Sequence, residues 1–328
     1  MSLASYADKF ARLNVGRVGD HERPHKPVML LALLDLFELN AIKENRITYS
    51  PELLELFGEY FGAVRTERDQ PTSLNPFFYL RGDKFWHHHP RPGQEAVLRA
   101  LRAPPGVEAL DAISDHVFLD DELFALLRDP ASRAELRGVL VNRYFADQRE
   151  KILAVAARES EIAKYQRQIE DGGCVAESAS VPEAVRDTAF SRVVRRAYDY
   201  RCAACGLRIV LEGGLYIVDA AHLVPFAKNH DDDPRNGMAL CKNHHWAMDR
   251  YLIAPGTDRV WHVTSSLDDR LEGQRDLICL DGRSILLPHE PRYHPKDSAL
   301  RWRERQMAQA AGRWLDCNPR LQASASYG

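Results

Sequence analysis

The sequence predicts an α+β chain in two parts: a mainly helical N-terminal part with one small β-hairpin, and a C-terminal part whose short strands and helix close around a metal knuckle. Three observations predict it. The 328 residues suffice for about two domains. The first half carries apolar segments with strong helix-start signals. The second half holds a Cys-x-x-Cys pair, Cys202 and Cys205, and further on a Cys-x-x-His pair, Cys241 and His244.

In chain order, Pro27 marks a helix start, and VMLLALLDLFEL (Val28 to Leu39) is apolar almost all round, as a buried helix is. ITYSPELLELFGEYF predicts a short strand, then a helix with Ser50 as N-cap and Pro51 as its first residue. NPFFYLRGDKFWHH predicts two short strands around a turn at Arg81 to Lys84, and the histidines 87 to 89 that follow are expected at a solvated rim. Helices follow within Asp120 to Leu127, Pro130 to Phe145 and about Gln148 to Glu170. The small polar run DGGCVAESASVPEA is expected to be a linker. Two more helices, AFSRVVRRAYDY and SALRWRERQMAQAAGRWL, open and close the second part. The expected organisation is 1–146, a connecting helix and linker 147–184, and 185–328.

Composition narrows the function classes. No apolar run reaches the ~20 residues of a membrane span, and MSLASYADKFARL lacks a signal peptide's apolar core, so no membrane partner and a cytoplasmic location are expected. The net charge of -3 gives no global basic field. Any nucleic-acid role must therefore rest on local patches. Six cysteines are too few and too scattered for a secreted disulfide scaffold; Cys174, Cys279 and Cys317 have no partner at ligand spacing.

Cys202, Cys205, Cys241 and His244 are four donors that can close tetrahedrally on a structural Zn²⁺, with Gly206 suited to the knuckle turn. The other reading is buried thiols or a redox pair. Between the pairs lies VDAAHLVPFAKNHDDDPRNGMALCKNHHWAMDR, residues 218 to 250. His222 ends a predicted strand (Tyr216 to His222), and His245 and Asp249 fall at i and i+4 of a predicted helix, on one face and able to share a second metal ion. Asp231 to Asp233 are expected to form an exposed loop. A histidine base, an acidic metal site and an Asn-Gly turn suit phosphodiester hydrolysis.

AAHLVP, NGMALC and HHWAMD within residues 201–251 resemble the HNH nucleases of the ββα-metal fold. The resemblance implies a zinc-stabilised nuclease domain in which His222 is the general base, Asn236 braces the loop that orients it, and His245 binds a catalytic Mg²⁺ or Mn²⁺. One position departs. Many HNH nucleases have a metal ligand just before the base, where this chain has Ala221; Asp219, two residues back on the same strand face, or Asp249 would substitute.

RPHKPVMLLALLDL with NPFFYLRGDKFW is similar to the N-terminal domains of modification-dependent restriction nucleases, phosphorothioate-dependent enzymes among them. Arg23, His25 and Lys26 precede a predicted helix start, where N–H groups and the dipole favour phosphate. Arg81 and Lys84 are expected to add phosphate contacts, and Asn75, Pro76 and Phe78 a surface for a sulfur atom or base methyl. Asn75 stands where the sulfur readers tend to have an aromatic residue. Arg195, Arg196, Arg201, Arg301, Arg303, Arg305 and Arg313 are solvated faces or phosphate grips beside the nuclease unit. The expectation is a homodimeric restriction-type endonuclease acting on double-stranded DNA and directed to modified DNA by its N-terminal domain. The alternatives are a zinc-stabilised binding module with a decayed site and a nonspecific HNH nuclease.

Overall fold

The computed structural model describes residues 2–172 and 181–316. Cys174, Cys317 and most of the expected linker lie outside them, and the side chain of Arg313 is likewise not described. The chain divides into two compact units, Met1–Ala163 with Leu211–Leu215, and Lys164–Val210 with Tyr216–Gly328.

The first unit runs α1 (Leu3–Ala11), β1 (Arg17–Val18), β2 (His21–Glu22), α2 (His25–Glu38), α3 (Pro51–Val64), α4 (Leu74–Tyr79), β3 (Trp86–Pro90), α5 (Glu95–Ala100), α6 (Val107–Ile113), β4 (Ser114–Leu119), α7 (Asp121–Arg128) and α8 (Pro130–Tyr144). α9 (Arg149–Glu170) begins in it. Every residue of α2 from His25 to Phe37 is buried, and α3, α4, α7 and α8 pack around it. Buried charge on α2 is met by partners: Asp35 accepts from the Tyr60 hydroxyl at 2.7 Å and Arg137 Nη2 at 2.5 Å, and Lys26 Nζ donates to Asp83 at 2.6 Å. Helix starts follow the local chemistry. Ser50 accepts from the Leu53 N–H with Pro51 first in α3, and Asp129 accepts from the Ser132 N–H with Pro130 first in α8.

The fold class is the α+β class expected, with one element reversed. The predicted hairpin around Arg81 to Lys84 is instead α4 followed by a 3₁₀ turn, Leu80–Asp83; only the segment after it is a strand. Pro76 lies in the first turn of α4, where its missing N–H costs nothing. Phe77 and Phe78 are buried, and Trp86 Nε1 donates to the Phe77 carbonyl at 2.8 Å. Strand β3 pairs antiparallel with the distant β4, Trp86 opposite Leu119. The three histidines are therefore strand residues rather than a rim. His87 meets Asp120 at 2.7 Å, His89 meets Asp115 at 3.0 Å, and burial lowers the His88 imidazole to about 4. α2 also starts earlier than Pro27, at His25.

After α10 (Glu183–Ala197) come β5 (Val210–Leu211) and its pair β6 (Leu215–Tyr216), each with one residue assigned to either unit; the second unit also holds the end of α9, β7 (Val218–His222), α11 (Phe226–Asn229), β8 (Gly237–Cys241), α12 (Lys242–Asp249), β9 (Ile253–Pro255), β10 (Trp261–Val263), α13 (Glu272–Ile278) and α14 (Asp297–Asp316). β7 and β8 are antiparallel, with Val218 opposite Cys241 and His222 opposite Gly237. α12 packs on one side of this pair and α10 against both strands. At Gly237 a Cβ would lie 2.5 Å from Val194 Cγ2 and 2.7 Å from Phe190 Cζ, so α10 seats there only on glycine. Among the described residues no helix is long and apolar enough to cross a membrane.

Candidate functional site

The knuckle forms because Cys241 ends β8 and His244 lies in the first turn of α12. Cys202 and Cys205 are brought alongside by the Ala203 N–H donating to the Ala239 carbonyl at 2.8 Å. Gly206 has φ +73°, the left-handed turn the knuckle needs. One donor atom from each of the four residues falls within a mutual 4.8 Å. His244 Nδ1 is 3.0 Å from Cys241 Sγ and 3.5 Å from Cys202 Sγ. Tetrahedral zinc, with Zn–S about 2.3 Å and Zn–N about 2.0 Å, sets donors about 3.5 to 3.8 Å apart. The residues fit a structural zinc, and the fourth donor closes the shell. The hydrogen bond to Cys241, then burial, pushes the Cys202 thiol up, and the same bond pulls the Cys241 thiol down.

His222 ends β7 with its side chain 20% exposed. Its ring stacks on Phe190 of α10 at 3.8 Å and 5°, and its Nε2 lies 2.9 Å from Asp232 Oδ1. The Arg303 Nη2 donates to the His222 carbonyl at 2.7 Å. Asn236 is fully buried and joins the loop to the strand end: its Oδ1 accepts from the Val224 N–H at 2.9 Å, and its Nδ2 donates to the carbonyls of Val224 at 3.0 Å and Asp231 at 2.9 Å.

Two expectations about this unit are corrected. Asp231 to Asp233 are not an exposed loop: Asp232 is 0% exposed, and Asp231 and Asp233 hold Lys296, just before α14, at 2.9 and 3.0 Å. Tyr165 of α9 and Arg186 of α10 meet Asp232 from the other side. Arg303 is not a solvated phosphate grip. It is buried beneath α12, where its Nη1 donates to the Met248 carbonyl at 3.2 Å. Arg196 is likewise engaged, with Glu170.

At the expected metal site, Asp219 Oδ2 lies 3.3 Å from His245 Nδ1, whereas Asp249 approaches the opposite nitrogen, Nε2, at 3.5 Å. Burial raises the Asp219 carboxyl, but hydrogen bonds from Lys242 and His245 outweigh it and hold it below the usual range. Cis ligands about 2.1 Å from an octahedral ion sit about 3.0 Å apart. Asp219 and His245 fit such an edge. Asp249 does not converge with them, and the three do not form a common cluster among the described residues.

In the first unit, a cavity of about 440 Å³ collects most of the predicted N-terminal residues: Arg23, His25, Lys26, Asn75, Pro76 and Arg81. Tyr79, Val15 and Arg102, which sequence reasoning missed, also line it. Two predicted residues do not. Phe78 is fully buried, beneath the Arg81 guanidinium at 4.0 Å, and Lys84 is exposed outside the lining in a left-handed conformation, φ 61°. His25 is tied by Nε2 to the Gln70 carbonyl at 2.7 Å, and burial lowers its pKa. Arg81 donates to the carbonyls of Leu98 at 3.1 Å and Leu101 at 2.5 Å. Arg23 and Arg102 are exposed. The cavity therefore combines cations with the apolar surfaces of Val15, Pro76 and Tyr79.

These two sites coincide with two known families. Residues 202–254 match the HNH endonuclease family, and residues 4–157 match the ScoMcrA-like DNA sulfur-binding domain. The chain thus carries one segment similar to a DNA sulfur-binding domain and a second similar to an HNH endonuclease domain. Among solved structures it is similar to a modification-dependent TagI restriction endonuclease, at 22% identity over 39% of each chain, with a TM-score of 0.28. No curated protein sequence matches it.

Proposed function

We propose that the chain is a restriction-type endonuclease that hydrolyses double-stranded DNA carrying a modification, and that a backbone phosphorothioate suits its first unit best. The cavity carries this reading. Its cations Arg23, Arg81 and Arg102 match an anionic backbone, while Pro76, Tyr79 and Val15 suit a poorly hydrated sulfur in place of an oxygen. A domain built only to grip phosphate would have little use for the apolar wall.

In the proposed reaction, His222 Nδ1 takes a proton from water as the oxygen attacks phosphorus. The P–O3′ bond breaks, leaving 5′-phosphate and 3′-hydroxyl ends. Asn236 fixes the loop that follows His222. Asp219 and His245 would hold a catalytic Mg²⁺ or Mn²⁺, which when bound neutralises charge on the phosphate and the leaving oxygen. Cys202, Cys205, Cys241 and His244 would hold a structural zinc. One such site cuts one strand, so a homodimer serves a double-strand break.

A second reading, a zinc-stabilised DNA-binding module with a decayed nuclease site, is favoured by Ala221 and by the divergence of Asp249 from Asp219. Matched plasmids, unmodified, methylated, hydroxymethylated and phosphorothioated, incubated with Mg²⁺ or Mn²⁺ separate the readings. Cutting of the phosphorothioated plasmid alone, abolished by His222→Ala with zinc retained, is expected. Equal cutting of all four would remove the modification reader, and binding without cutting of any would favour the module.

A further inference from the structure

We infer that Asp232 is the positioning residue of the base, holding His222 in the tautomer that leaves Nδ1 free to accept a proton from water; this rests on the nuclease reading above. Asp232 is the middle of three consecutive aspartates, yet it is fully buried. A carboxylate is withdrawn from water only where donors surround it. Its Oδ1 accepts from His222 Nε2 at 2.9 Å, and its Oδ2 accepts from the Tyr165 hydroxyl of α9 at 3.0 Å and faces Arg186 Nη1 of α10 at 3.4 Å.

Tyr165 and Arg186 both donate to Asp232, as suits an ionised carboxylate, which can only accept; the proton shared with His222 therefore sits on Nε2 and the lone pair on Nδ1. Among the described residues no partner engages Nδ1. Phe190 against the ring face and Arg303 on the His222 carbonyl fix the remaining freedom of the imidazole. Arg186 is itself held by Asp187 at 3.0 Å and by the Phe226 ring at 3.4 Å. A carboxylate placed only to neutralise Arg186 would have no need to meet the imidazole edge to edge.

The test uses the full chain with Asp232→Asn, read in two ways. Nitrogen NMR of the imidazoles, with His222→Ala to assign the signal, is expected to place the wild-type proton on Nε2 and to show the Nδ1–H form gained in the variant. Single-turnover cleavage of the plasmid that the wild type cuts is expected to slow about 100-fold or more, by analogy with the serine-protease aspartate, with DNA affinity and zinc content unchanged. Arg186, Tyr165 and Asp187 from α9 and α10, and Arg303 from α14, face the pair in both proteins. Tyr165→Phe keeps the carboxylate and removes one donor. It is expected to act in the same direction by a few-fold, and it serves if Asp232→Asn does not fold. A wild-type proton on Nδ1, or an unchanged rate and tautomer in Asp232→Asn, overturns the inference. Cleavage surviving His222→Ala would instead overturn the assignment of His222 as base, and no cleavage by the wild type would overturn the nuclease reading; the nitrogen spectrum would still decide the tautomer.

Discussion

Lys26 and Arg23 line the same cavity, yet Lys26 is already engaged within the protein. Its ammonium meets Asp83 with both side chains nearly removed from water, 10% and 5% exposed. Lys26→Ala leaves a buried carboxylate unpaired and is expected to lower stability by about 3 kcal/mol, measured by urea unfolding. Arg23→Ala and Arg102→Ala should leave the urea midpoint in place and each reduce the salt dependence of DNA binding by about one phosphate contact. Equal destabilisation by all three would contradict this division. His88 makes a separate pH prediction. Burial, helped by the nearby Arg81 charge, holds its pKa at about 4, below the unfolded value near 6.5. The unfolded chain therefore binds the extra proton first, and the stability this residue contributes is present above pH 6.5 and lost as pH falls toward 4. His88→Gln is expected to remove a share of the acid destabilisation on the order of 2 kcal/mol. At this scale the places of His222, at the end of β7, and Asn236, in the turn before β8, were legible from short-range spacing. It was not for Asp232, whose partners lie 67 and 46 residues away in Tyr165 and Arg186. In sequence, three aspartates in a row read as solvent.

Among elements, those with local start chemistry were readable: Ser50 with Pro51, and Asp129 with Pro130, mark α3 and α8 where they occur. α4 was not, because Phe77, Phe78 and Tyr79 favour strands by propensity while their packing against α2 favours a helix. The partner of β3 was equally hidden, since α5 and α6 intervene before β4. The knuckle gives the element-scale prediction. β7 and β8 form a two-stranded sheet, and such a sheet has little stability of its own. Cys202→Ser is expected to lower zinc below one per chain and speed amide exchange across β7, β8 and α12, while α2 and α3 keep their protection. Uniformly faster exchange would show that the zinc instead supports the whole chain. Gly237 belongs to the same element. It leaves room for the Phe190 ring, and that ring in turn backs His222.

For the whole molecule, the two-part α+β organisation was legible from length, helix signals and the paired ligands, whereas the cavity was not. Its lining comes from residues as distant as Asn14 and Arg102, which no window along the chain joins. The proposed modification dependence belongs to this scale: a variant with both Arg23 and Arg102 replaced by Ala should lose preferential cutting of phosphorothioated DNA while its zinc content stays constant. Unchanged preference would place recognition elsewhere. The cationic cavity sits in a chain whose net charge is -3. Most of the surface thus offers ordinary duplexes no general attraction, and nonspecific affinity is largely an electrostatic quantity. In a cell crowded with its own DNA, such a chain would spend little time sequestered on the wrong target, so self-avoidance is supplied partly by an unattractive exterior and not by recognition alone.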